Sequence, residues 1–311
     1  MQFLSSLAVA DKPAFIGVDW GNSNARFYLI AEDGSLLDTR SGPGIGQLEG
    51  GDAIETACFE AIGEWIAQEP DLSVIMAGAV GSNIGWHMAG YADTPATLDN
   101  IVLGMLSFRA RGVDFCIAPG VATTRIDSLP DVMRGEEIQI FGSVIGEGAL
   151  VCLPGTHSKW VQVSGRAVTA FHTAHTGELL NILGRHSILL NPKRPALAKP
   201  DAAFVEGVDI VRASIAGLES LLFTVRSRQI AGTLKPEDAD SYLAGLTIGC
   251  EIKSALALYG APSAAITLIG SPHLTALYAA ALACFEAVSH IIDGDAASLS
   301  GLIKLHQARA S

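Results

Sequence analysis

The stretch FIGVDWGNSNARFYLI, residues 15–30, decides how the rest of the sequence is interpreted. Its first part, up to Asp19, is apolar and β-prone, which predicts a buried strand. A polar turn, Gly21-Asn22-Ser23-Asn24, follows, and residues 26–30 predict a second strand. Glycine lets the backbone approach a ligand closely, and successive turn amides can bind an anion. Asp19, at the strand end, suits a divalent cation, while a plain hairpin with a polar tip is the competing interpretation.

A similar stretch, ALVCLPGTHSKWVQV, opens the second half of the chain at residues 149–163. It again has an apolar strand, a glycine-centred polar turn and a second strand. Gly155 corresponds to Gly21, and His157 corresponds to Ser23. An internal repeat has to be recognised before a fold is assigned. The two stretches therefore predict a duplicated α/β domain with a ligand between the halves.

The composition predicts a well-packed globular protein with two domains. The 311 residues exceed the length at which one hydrophobic core usually suffices. Of the residues, 49% are apolar and 17% are charged, which excludes a disordered chain. The net charge of −12 argues against a nucleic acid or an anionic membrane surface as a partner.

The cysteines and the apolar runs exclude further classes of protein. The five cysteines are scattered and form no CxxC pair, so neither a disulfide framework nor a cysteine zinc site is expected. Residues 1–12 lack the basic segment of a secretion signal. No apolar run approaches the ~18–20 residues of a membrane span. We therefore expect a cytoplasmic protein.

Helical periodicity marks several segments between and after the hairpins. Apolar residues at helical spacing predict helices over 54–66, 98–109, 202–228 and 236–259. Gly135-Glu136-Glu137 is expected to open a further helix, because acidic residues in a first turn suit the positive end of the helix dipole. We place the domain boundary between Pro119 and Arg134.

Four glycine-containing segments follow one another in a set order. They are the turn after Asp19, the helix start at Glu136, the turn at Gly155, and Gly270-Ser271-Pro272 before a helix. This order resembles that of the actin/hexokinase/Hsp70 superfamily of ATP-binding proteins. The resemblance implies an α/β fold of duplicated ribonuclease H-like (actin/hexokinase-type) domains with an interdomain cleft.

In that superfamily the two turns hold phosphates, and the late glycine-containing helix start meets the adenosine. The resemblance thus implies an ATP site formed by Gly21, Asn22, Ser23, Asn24, Gly155, Thr156, His157, Gly270 and Ser271. It implies an N-terminal domain over 1–120, with the last helix, 296–311, packed back on it. Residues 121–295 would form a C-terminal domain with a helical insertion, the second turn and the adenosine site.

Longer stretches narrow the resemblance to one family. VDWGNSNARFYL, MAGAVGSNIGW, VMRGEEIQIFG, LPGTHSKWV and HTGELLNIL are similar, in this order, to signature stretches of 2-dehydro-3-deoxygalactonokinases. The resemblance implies that ATP, with Mg2+, phosphorylates the 6-hydroxyl of 2-dehydro-3-deoxy-D-galactonate in D-galactonate breakdown. The last helix departs more from the family, with AASL at 296–299, which we expect to affect packing rather than chemistry.

The resemblance also implies roles for single residues. Related sugar kinases use a Gly-Asp at a helix start as catalytic base, and Gly135-Glu136 occupies that place, with Glu137 as the alternative. Asp19 is the candidate Mg2+ ligand. Arg134 is the candidate partner of the substrate carboxylate, because a guanidinium can bind it bidentately. The candidates for contact with the sugar are Gly81, Ser82, Asn83 and Trp86.

Each assignment has a structural competitor. Asp19 could cap a turn, Glu136 could only offset a helix dipole, and Arg134 could be a surface cation. Trp86 could equally be a core residue. His172 and His175 are interpreted as ordinary polar residues, because no carboxylate or cysteine in the sequence pattern completes a metal site with them.

Other functions also stay open at this point. The acceptor could be another 2-keto-3-deoxy sugar acid, since a sequence does not show the configuration of one hydroxyl. The protein could also be a non-catalytic ATP- or sugar-binding sensor, or an ATPase in which water replaces the sugar, because a fold alone does not fix a function. The expected partner is a small-molecule sugar acid, and the sequence leaves the oligomeric state open, a homodimer included.

Overall fold

A computed structural model describes residues 12–190, 198–260 and 264–310 of the chain. The segment on which the expectation about a secretion signal rests lies, except for Lys12, outside these residues. Within the described ranges, no helix is both long and apolar enough to cross a membrane.

Strands and helices alternate along the chain. In chain order the strands are β1 Pro13–Trp20, β2 Asn24–Ala31, β3 Leu36–Pro43, β4 Ser73–Gly78, β5 Tyr91–Asp93, β6 Leu106–Ala110, β7 Val113–Ile117, β8 Gly120–Thr124, β9 Pro130–Met133, β10 Ala149–Leu153, β11 Ser158–Ser164, β12 Ala167–Ala174, β13 Ile266–Gly270 and β14 Ser289–Asp293. The helices are α1 Gly51–Gln68, α2 Leu98–Leu103, α3 Glu136–Gly142, α4 Thr176–His186, α5 Ala202–Ala213, α6 Leu218–Ile230, α7 Ala239–Tyr259, α8 Pro272–Cys284 and α9 Gly294–Ala310.

Two larger sheets have the same connectivity. The first has the strand order β3-β2-β1-β4-β7-β6, and the second has the order β12-β11-β10-β13-β14. In each, three antiparallel strands are followed by two parallel ones: β1 pairs antiparallel with β2 and parallel with β4, as β10 does with β11 and β13. The repeated order confirms the duplication predicted from the two hairpins and the ribonuclease H-like fold class. A third, small sheet has the order β5-β8-β9.

The chain divides into two compact units. Unit 1 comprises residues 1–123, 132–144 and 296–311, and unit 2 comprises 124–131 and 145–295. The expected division into 1–120 and 121–295 differs in one important segment. Residues 132–144, which contain Arg134, Glu136 and α3, belong with unit 1 although they follow the boundary in sequence.

Each unit has its own hydrophobic core. The core of unit 1 packs α1 against the first sheet, with Ile54, Cys58 and Ile62 fully buried among strand residues such as Trp20. In unit 2, α7 is buried along most of its length and contributes to two clusters. One cluster lies against the second sheet and the other against α5 and α6.

Two of the predicted helices differ from the structure. The segment 98–109 forms a helix only to Leu103, since Gly104 ends it and residues from Leu106 pair as β6 with β7. The segment 202–228 forms two helices rather than one. Ser214 adopts an extended conformation after α5, and its Oγ accepts a hydrogen bond from the amide of Ala216. Gly217 is the N-cap residue of α6.

Helix α9 packs on α3 at two glycines of unit 1. A Cβ at Gly142 would lie 2.0 Å from the carbonyl oxygen of Ala297, and one at Gly301 would lie 2.1 Å from that of Ile138. Lys304 Nζ also donates to the carbonyl of Phe141 at 2.7 Å. The backbones therefore meet with no room for a side chain, which fixes α3 against the C-terminal helix.

We expect Gly301→Ala to destabilise the protein by about 1–3 kcal/mol, the usual cost of overpacking, because the neighbouring atom is a backbone carbonyl that cannot rotate away. Gly63→Ala is the matched control. Gly63 lies inside α1 with no atom within 4 Å of a Cβ, so the substitution should stabilise by roughly 0.5–1 kcal/mol. Urea unfolding of both variants checks this, and equal effects would contradict the packing described here.

Candidate active site

The first glycine turn joins β1 to β2 and presents polar groups to solvent. The amide of Gly21 donates to the carbonyl of Asn24 at 3.0 Å, which closes the turn. The side chains of Asn22, Ser23 and Asn24 are exposed. The turn thus has the open, polar surface that an anion site needs.

The loop after β3 fixes this turn from the other side. The amides of Ile45 and Gly46 donate to the carbonyls of Gly21 and Asn22 at 3.1 and 3.0 Å. A Cβ at Gly44 would lie 2.3 Å from the carbonyl oxygen of Asn22, so only glycine fits there. The sequence shows a glycine-rich loop at 42–51, but nothing in it indicates that the loop supports the turn.

Asp19, at the end of β1, is held by side chains from distant parts of unit 1. Its Oδ2 accepts a hydrogen bond from Ser298 Oγ at 3.0 Å and lies 3.5 Å from Arg26 Nη1. Gln139 of α3 donates to Ser298 Oγ at 3.1 Å. The AASL segment of the last helix, expected to affect packing alone, therefore also orients the candidate Mg2+ ligand.

The start of α3 meets the end of β4 beside this carboxylate. A Cβ at Gly135 would lie 3.2 Å from the Cα of Gly78, and both glycines have positive φ, 106° and 94°. Gly78 pairs with Trp20 at the end of β1. The close approach therefore brings Arg134 and Glu136 to the carboxyl ends of β1 and β4, the edge at which open α/β sheets bind ligands.

Arg134 is anchored through one nitrogen of its guanidinium and by the ring of Tyr91. Its Nη2 donates to the carbonyl of Ala89 at 2.8 Å, and its guanidinium lies 4.3 Å from the centre of the Tyr91 ring. Nε and Nη1 are buried and have no hydrogen-bond partner among the residues that the structure describes. A Cβ at Gly81 would lie 3.0 Å from Nη1, so the predicted sugar-contacting loop begins beside this group.

The other three predicted sugar contacts differ in exposure. Ser82 is half-buried and Asn83 is exposed, so both are accessible. Trp86 is only 9% exposed, and its ring packs edge-on against Phe108 and Phe115 at 5.1 Å each. This packing favours the competing interpretation of Trp86 as a core residue.

The two glutamates at the start of α3 have different surroundings. Glu136 is half-buried, and its Oε2 accepts a hydrogen bond from the amide of Arg134 at 3.0 Å. Glu137 is 0% exposed, and both of its oxygens lie 2.8 Å from the amide nitrogen of Gly135. Burial, together with the nearby charge of Glu136, raises the pKa of Glu137 to about 8. Of these two glutamates, only Glu136 has a carboxylate that a ligand can reach.

The raised pKa of Glu137 predicts a pH dependence of stability. In the folded protein the group holds its proton up to about 8, against 4.5 for the ordinary carboxyl. The native state therefore binds more protons than the unfolded state between these values, and its stability falls as pH rises through this window. In Glu137→Gln this fall should be absent, since glutamine is neutral at every pH.

Unfolding free energies measured from pH 5 to 8 check this expectation. The difference between wild type and Glu137→Gln should change with pH by up to ~1.4 kcal/mol per unit, the limit for one proton. Glu60→Gln, at an exposed glutamate of α1, is the control and should leave the curve parallel to wild type. A parallel curve for Glu137→Gln would show that Glu137 ionises normally.

The second glycine turn lies in unit 2 between β10 and β11. Thr156 and His157 are exposed, and Gly155 is half-buried. The start of α4 packs directly on the turn, because a Cβ at Gly177 would lie 2.2 Å from the carbonyl oxygen of Gly155. The amide of Glu178 donates to the carbonyl of Thr156 at 2.9 Å. The HTGE segment at 175–178 thus supports this turn as the 44–47 loop supports the first.

Side chains around the turn form two separate groups. His157 Nε2 lies 2.6 Å from Glu178 Oε2, and the ring of His175 stacks on that of His157 with centroids 4.7 Å apart. His172 does not join them. It is buried, with Nδ1 3.0 Å from the hydroxyl of Tyr259, and burial lowers its pKa to about 4.

A buried carboxylate is hydrogen-bonded to β11, the strand that follows this turn. Glu251 of α7 accepts hydrogen bonds from Trp160 Nε1 at 2.8 Å and from the hydroxyl of Tyr278 at 2.6 Å. The Tyr278 hydroxyl also lies 2.8 Å from Ser158 Oγ. Burial raises the pKa of Glu251. The four residues come from three distant segments, β11, α7 and α8, and sequence reasoning did not find them as a group.

The predicted adenosine segment lies at the end of β13, the neighbour of β10. Gly270 is approached by Gly294, whose Cβ would lie 3.0 Å from the Cα of Gly270. Ser271 is the N-cap residue of α8 and is exposed, and Pro272 follows at the first helical position. Unit 2 therefore carries both of its predicted nucleotide segments at the carboxyl ends of neighbouring parallel strands.

Comparisons with known proteins agree on one family. A family model described as 2-keto-3-deoxy-galactonokinase matches residues 19–305. The 2-dehydro-3-deoxygalactonokinase of Escherichia coli strain K12 is 34% identical over 298 residues, which cover 96% of this chain and 99% of that protein.

Two further matches are more than 30% identical to this chain. A protein of Rhizobium meliloti strain 1021, to which the same activity is attributed, is 37% identical over 297 residues, or 93% of this chain and 95% of that protein. A crystal structure from Sinorhizobium meliloti, again with that activity attributed, is 35% identical with a TM-score of 0.82. The match covers 94% of this chain and 96% of the chain in the crystal structure.

Proposed function

This chain belongs to the 2-keto-3-deoxy-galactonokinase family, and on that premise we propose that it transfers the γ-phosphoryl group of ATP to the 6-hydroxyl of 2-dehydro-3-deoxy-D-galactonate. Family membership makes the protein a kinase and implies ATP as the phosphate donor. The observation that carries the proposal beyond the family is the pairing of Arg134 with Glu136 at the start of α3.

Arg134 is the group to which we assign the substrate carboxylate. Its Nε and Nη1 donors are buried without a partner among the described residues. An unpaired buried donor costs roughly 1–3 kcal/mol, more when it is charged, so a ligand oxygen there is favoured. Nε shares its edge of the planar guanidinium with Nη2, which is already bonded, and Nη1 faces another edge, so each of the two donors would form its own charge-assisted hydrogen bond to a ligand oxygen.

We assign Glu136 as the catalytic base. It follows Arg134 by two residues and accepts the amide hydrogen of that residue at 3.0 Å. A sugar acid whose carboxylate is bound by Arg134 therefore has a reachable carboxylate in the same unit. Glu137 is unsuited to this role, because it is fully buried and its pKa near 8 keeps it protonated at neutral pH.

We assign phosphate binding to the two glycine turns, 21–24 and 155–157, and adenosine binding to Gly270 and Ser271. In the first turn the carbonyls of Gly21, Asn22 and Ser23 are engaged by the supporting loop, which leaves exposed side chains for a ligand. Rigid amide and hydroxyl donors suit phosphoryl transfer, in which positioning and charge stabilisation do most of the work.

Asp19 fits a Mg2+ site by the chemistry of its donors. It is a carboxylate at a strand end, its side chain is 19% exposed, and Ser298 fixes its orientation. Mg2+ is usually bound through one or two carboxylates together with water and substrate phosphates. When bound, the ion would neutralise charge on the phosphates.

In the proposed reaction Arg134 holds the carboxylate and Glu136 takes the proton of the 6-hydroxyl. The hydroxyl oxygen forms the new bond to the γ-phosphorus as the bond from that phosphorus to the ADP oxygen breaks. Glu136 keeps the proton, and ADP leaves with the bonding electrons. Proton removal by a positioned carboxylate contributes about 10²–10⁴-fold to such a rate.

A kinase acting on an epimeric 2-keto-3-deoxy sugar acid is the second candidate, because Arg134 would bind the carboxylate of either epimer. We also propose that the enzyme acts in the cytoplasm, where ATP is made.

A coupled assay of ADP release over a panel of aldonic and 2-keto-3-deoxy acids tests the proposed activity. The largest kcat/KM should belong to 2-dehydro-3-deoxy-D-galactonate, and ADP release that is equal without any sugar acid would refute it.

Glu136→Gln keeps the size and hydrogen-bonding reach of the side chain but removes the proton acceptor. We expect kcat to fall at least ~10²-fold, the low end for a lost general base, with little change in the KM for ATP. Steady-state kinetics with the sugar acid at saturation measures this.

Glu60→Gln is the control and should leave kcat unchanged, because Glu60 is exposed on α1, away from the start of α3. Glu137→Gln is unsuitable as a control, since its side chain is buried. Near-normal turnover in Glu136→Gln would assign the base to another residue.

A further inference from the structure

His157, His175 and Glu178 converge at the second glycine turn of unit 2. His157 comes from the turn itself, His175 is the N-cap residue of α4, and Glu178 lies in the first turn of that helix. One ligand atom from each lies within 4.8 Å of the other two. We propose that these three side chains bind a divalent transition-metal ion of the Zn2+ class.

The spacing of the ligand atoms is close to that of a metal site. Bonds from Zn2+ to imidazole nitrogen and carboxylate oxygen are about 2.0–2.2 Å, which places tetrahedral ligands roughly 3.3–3.5 Å apart. Nε2 of His175 lies 3.3 Å from Glu178 Oε2, and Nε2 of His157 lies 2.6 Å from it. A small rotation of the Glu178 carboxylate would open the second distance to the required value.

The backbone already holds the three residues in place. The amide of Glu178 donates to the carbonyl of Thr156, the residue before His157, at 2.9 Å. Gly177 allows the helix to contact the turn directly, and the imidazole rings, which are stacked at 20°, would rotate about their side-chain bonds to direct both nitrogens at the ion. Metal binding would therefore require little ordering of the chain, which favours affinity.

The donor set selects the class of metal. Two imidazole nitrogens and one carboxylate oxygen suit Zn2+ and its neighbours in the first transition series, whereas Mg2+ and Ca2+ prefer oxygen ligands alone. This site is thus distinct from Asp19, which belongs to unit 1.

Three protein ligands leave coordination positions open. The side chains of His157, His175 and Glu178 are 45%, 61% and 39% exposed, so the open positions face solvent. Water can fill them, as can an oxygen of a phosphate group. The second possibility rests on the proposed function, which assigns phosphate binding to this turn.

Direct metal titration tests the site without substrate or turnover. Full-length protein without a polyhistidine tag is stripped with a chelator and titrated with Co2+, whose visible spectrum reports coordination, and then with Zn2+ against a chromophoric chelator. We expect one equivalent per chain, displaced by Zn2+. His175→Ala and Glu178→Gln should each weaken metal binding at least ~10-fold. Removing a side chain that only orients a metal ligand already lowers metal affinity by roughly 10–100-fold, so losing a ligand should cost at least as much.

His186→Ala is the matched control, because His186 is exposed at the other end of α4 and should leave affinity unchanged. Circular dichroism of each variant establishes that it is folded. The proposal is overturned if wild type binds no stoichiometric Co2+ or Zn2+, or if His175→Ala binds as tightly as wild type. Neither result would alter the kinase assay, so failure of this site is distinguishable from failure of the proposed activity.

Discussion

The Cα of Gly78 and the backbone of Gly135 approach so closely that a Cβ on Gly135 would lie 3.2 Å from that Cα. Both residues have positive φ, which other residues adopt only at a cost. Through this contact the segment 132–144 joins unit 1, although sequence order places it after the boundary. Arg134 and Glu136 reach the ends of β1 and β4 for that reason, and the proposed substrate site depends on it.

The two units use one topology in different ways. Each places a glycine turn after the first strand of its sheet, and each supports that turn with a second segment brought into backbone contact through a glycine. In unit 1 the support is the loop at Gly44, and in unit 2 it is the start of α4 at Gly177. Unit 2 also has a buried carboxylate, Glu251, that accepts hydrogen bonds from Trp160 and Tyr278 next to its turn. The duplication thus explains the scaffold, while the chemistry comes from the residues that differ.

The sequence predicted the features that depend on neighbouring residues. Both hairpins follow from local alternation of strand and turn residues, and their similarity led to the duplicated fold. The helix predicted over 98–109 was half wrong because the pairing of β6 with β7, a tertiary contact, overrides the apolar spacing after Gly104. The support of Asp19 by Ser298 links residues 279 positions apart, a distance at which no sequence pattern operates.

Burial, which the sequence does not show, separates the alternatives that remained open. The sequence does not distinguish Glu136 from Glu137, yet in the structure Glu136 is accessible and Glu137 is 0% exposed. The aromatic packing of Trp86, and the donors of Arg134 that have no partner within the described ranges, likewise emerge only when the chain is folded. The sequence pattern set His175 beside His172 and found no carboxylate near them, whereas in the structure the ring of His175 stacks on that of His157 and its Nε2 lies 3.3 Å from Glu178 Oε2.

A crystal structure with 2-dehydro-3-deoxy-D-galactonate and a non-hydrolysable ATP analogue tests the central claim most directly. The account predicts the sugar carboxylate within hydrogen-bond distance of Nε or Nη1 of Arg134. It also predicts the 6-hydroxyl about 2.6–3.2 Å from a carboxylate oxygen of Glu136. A carboxylate bound away from Arg134, or a 6-hydroxyl nearest to another acidic residue, would contradict it.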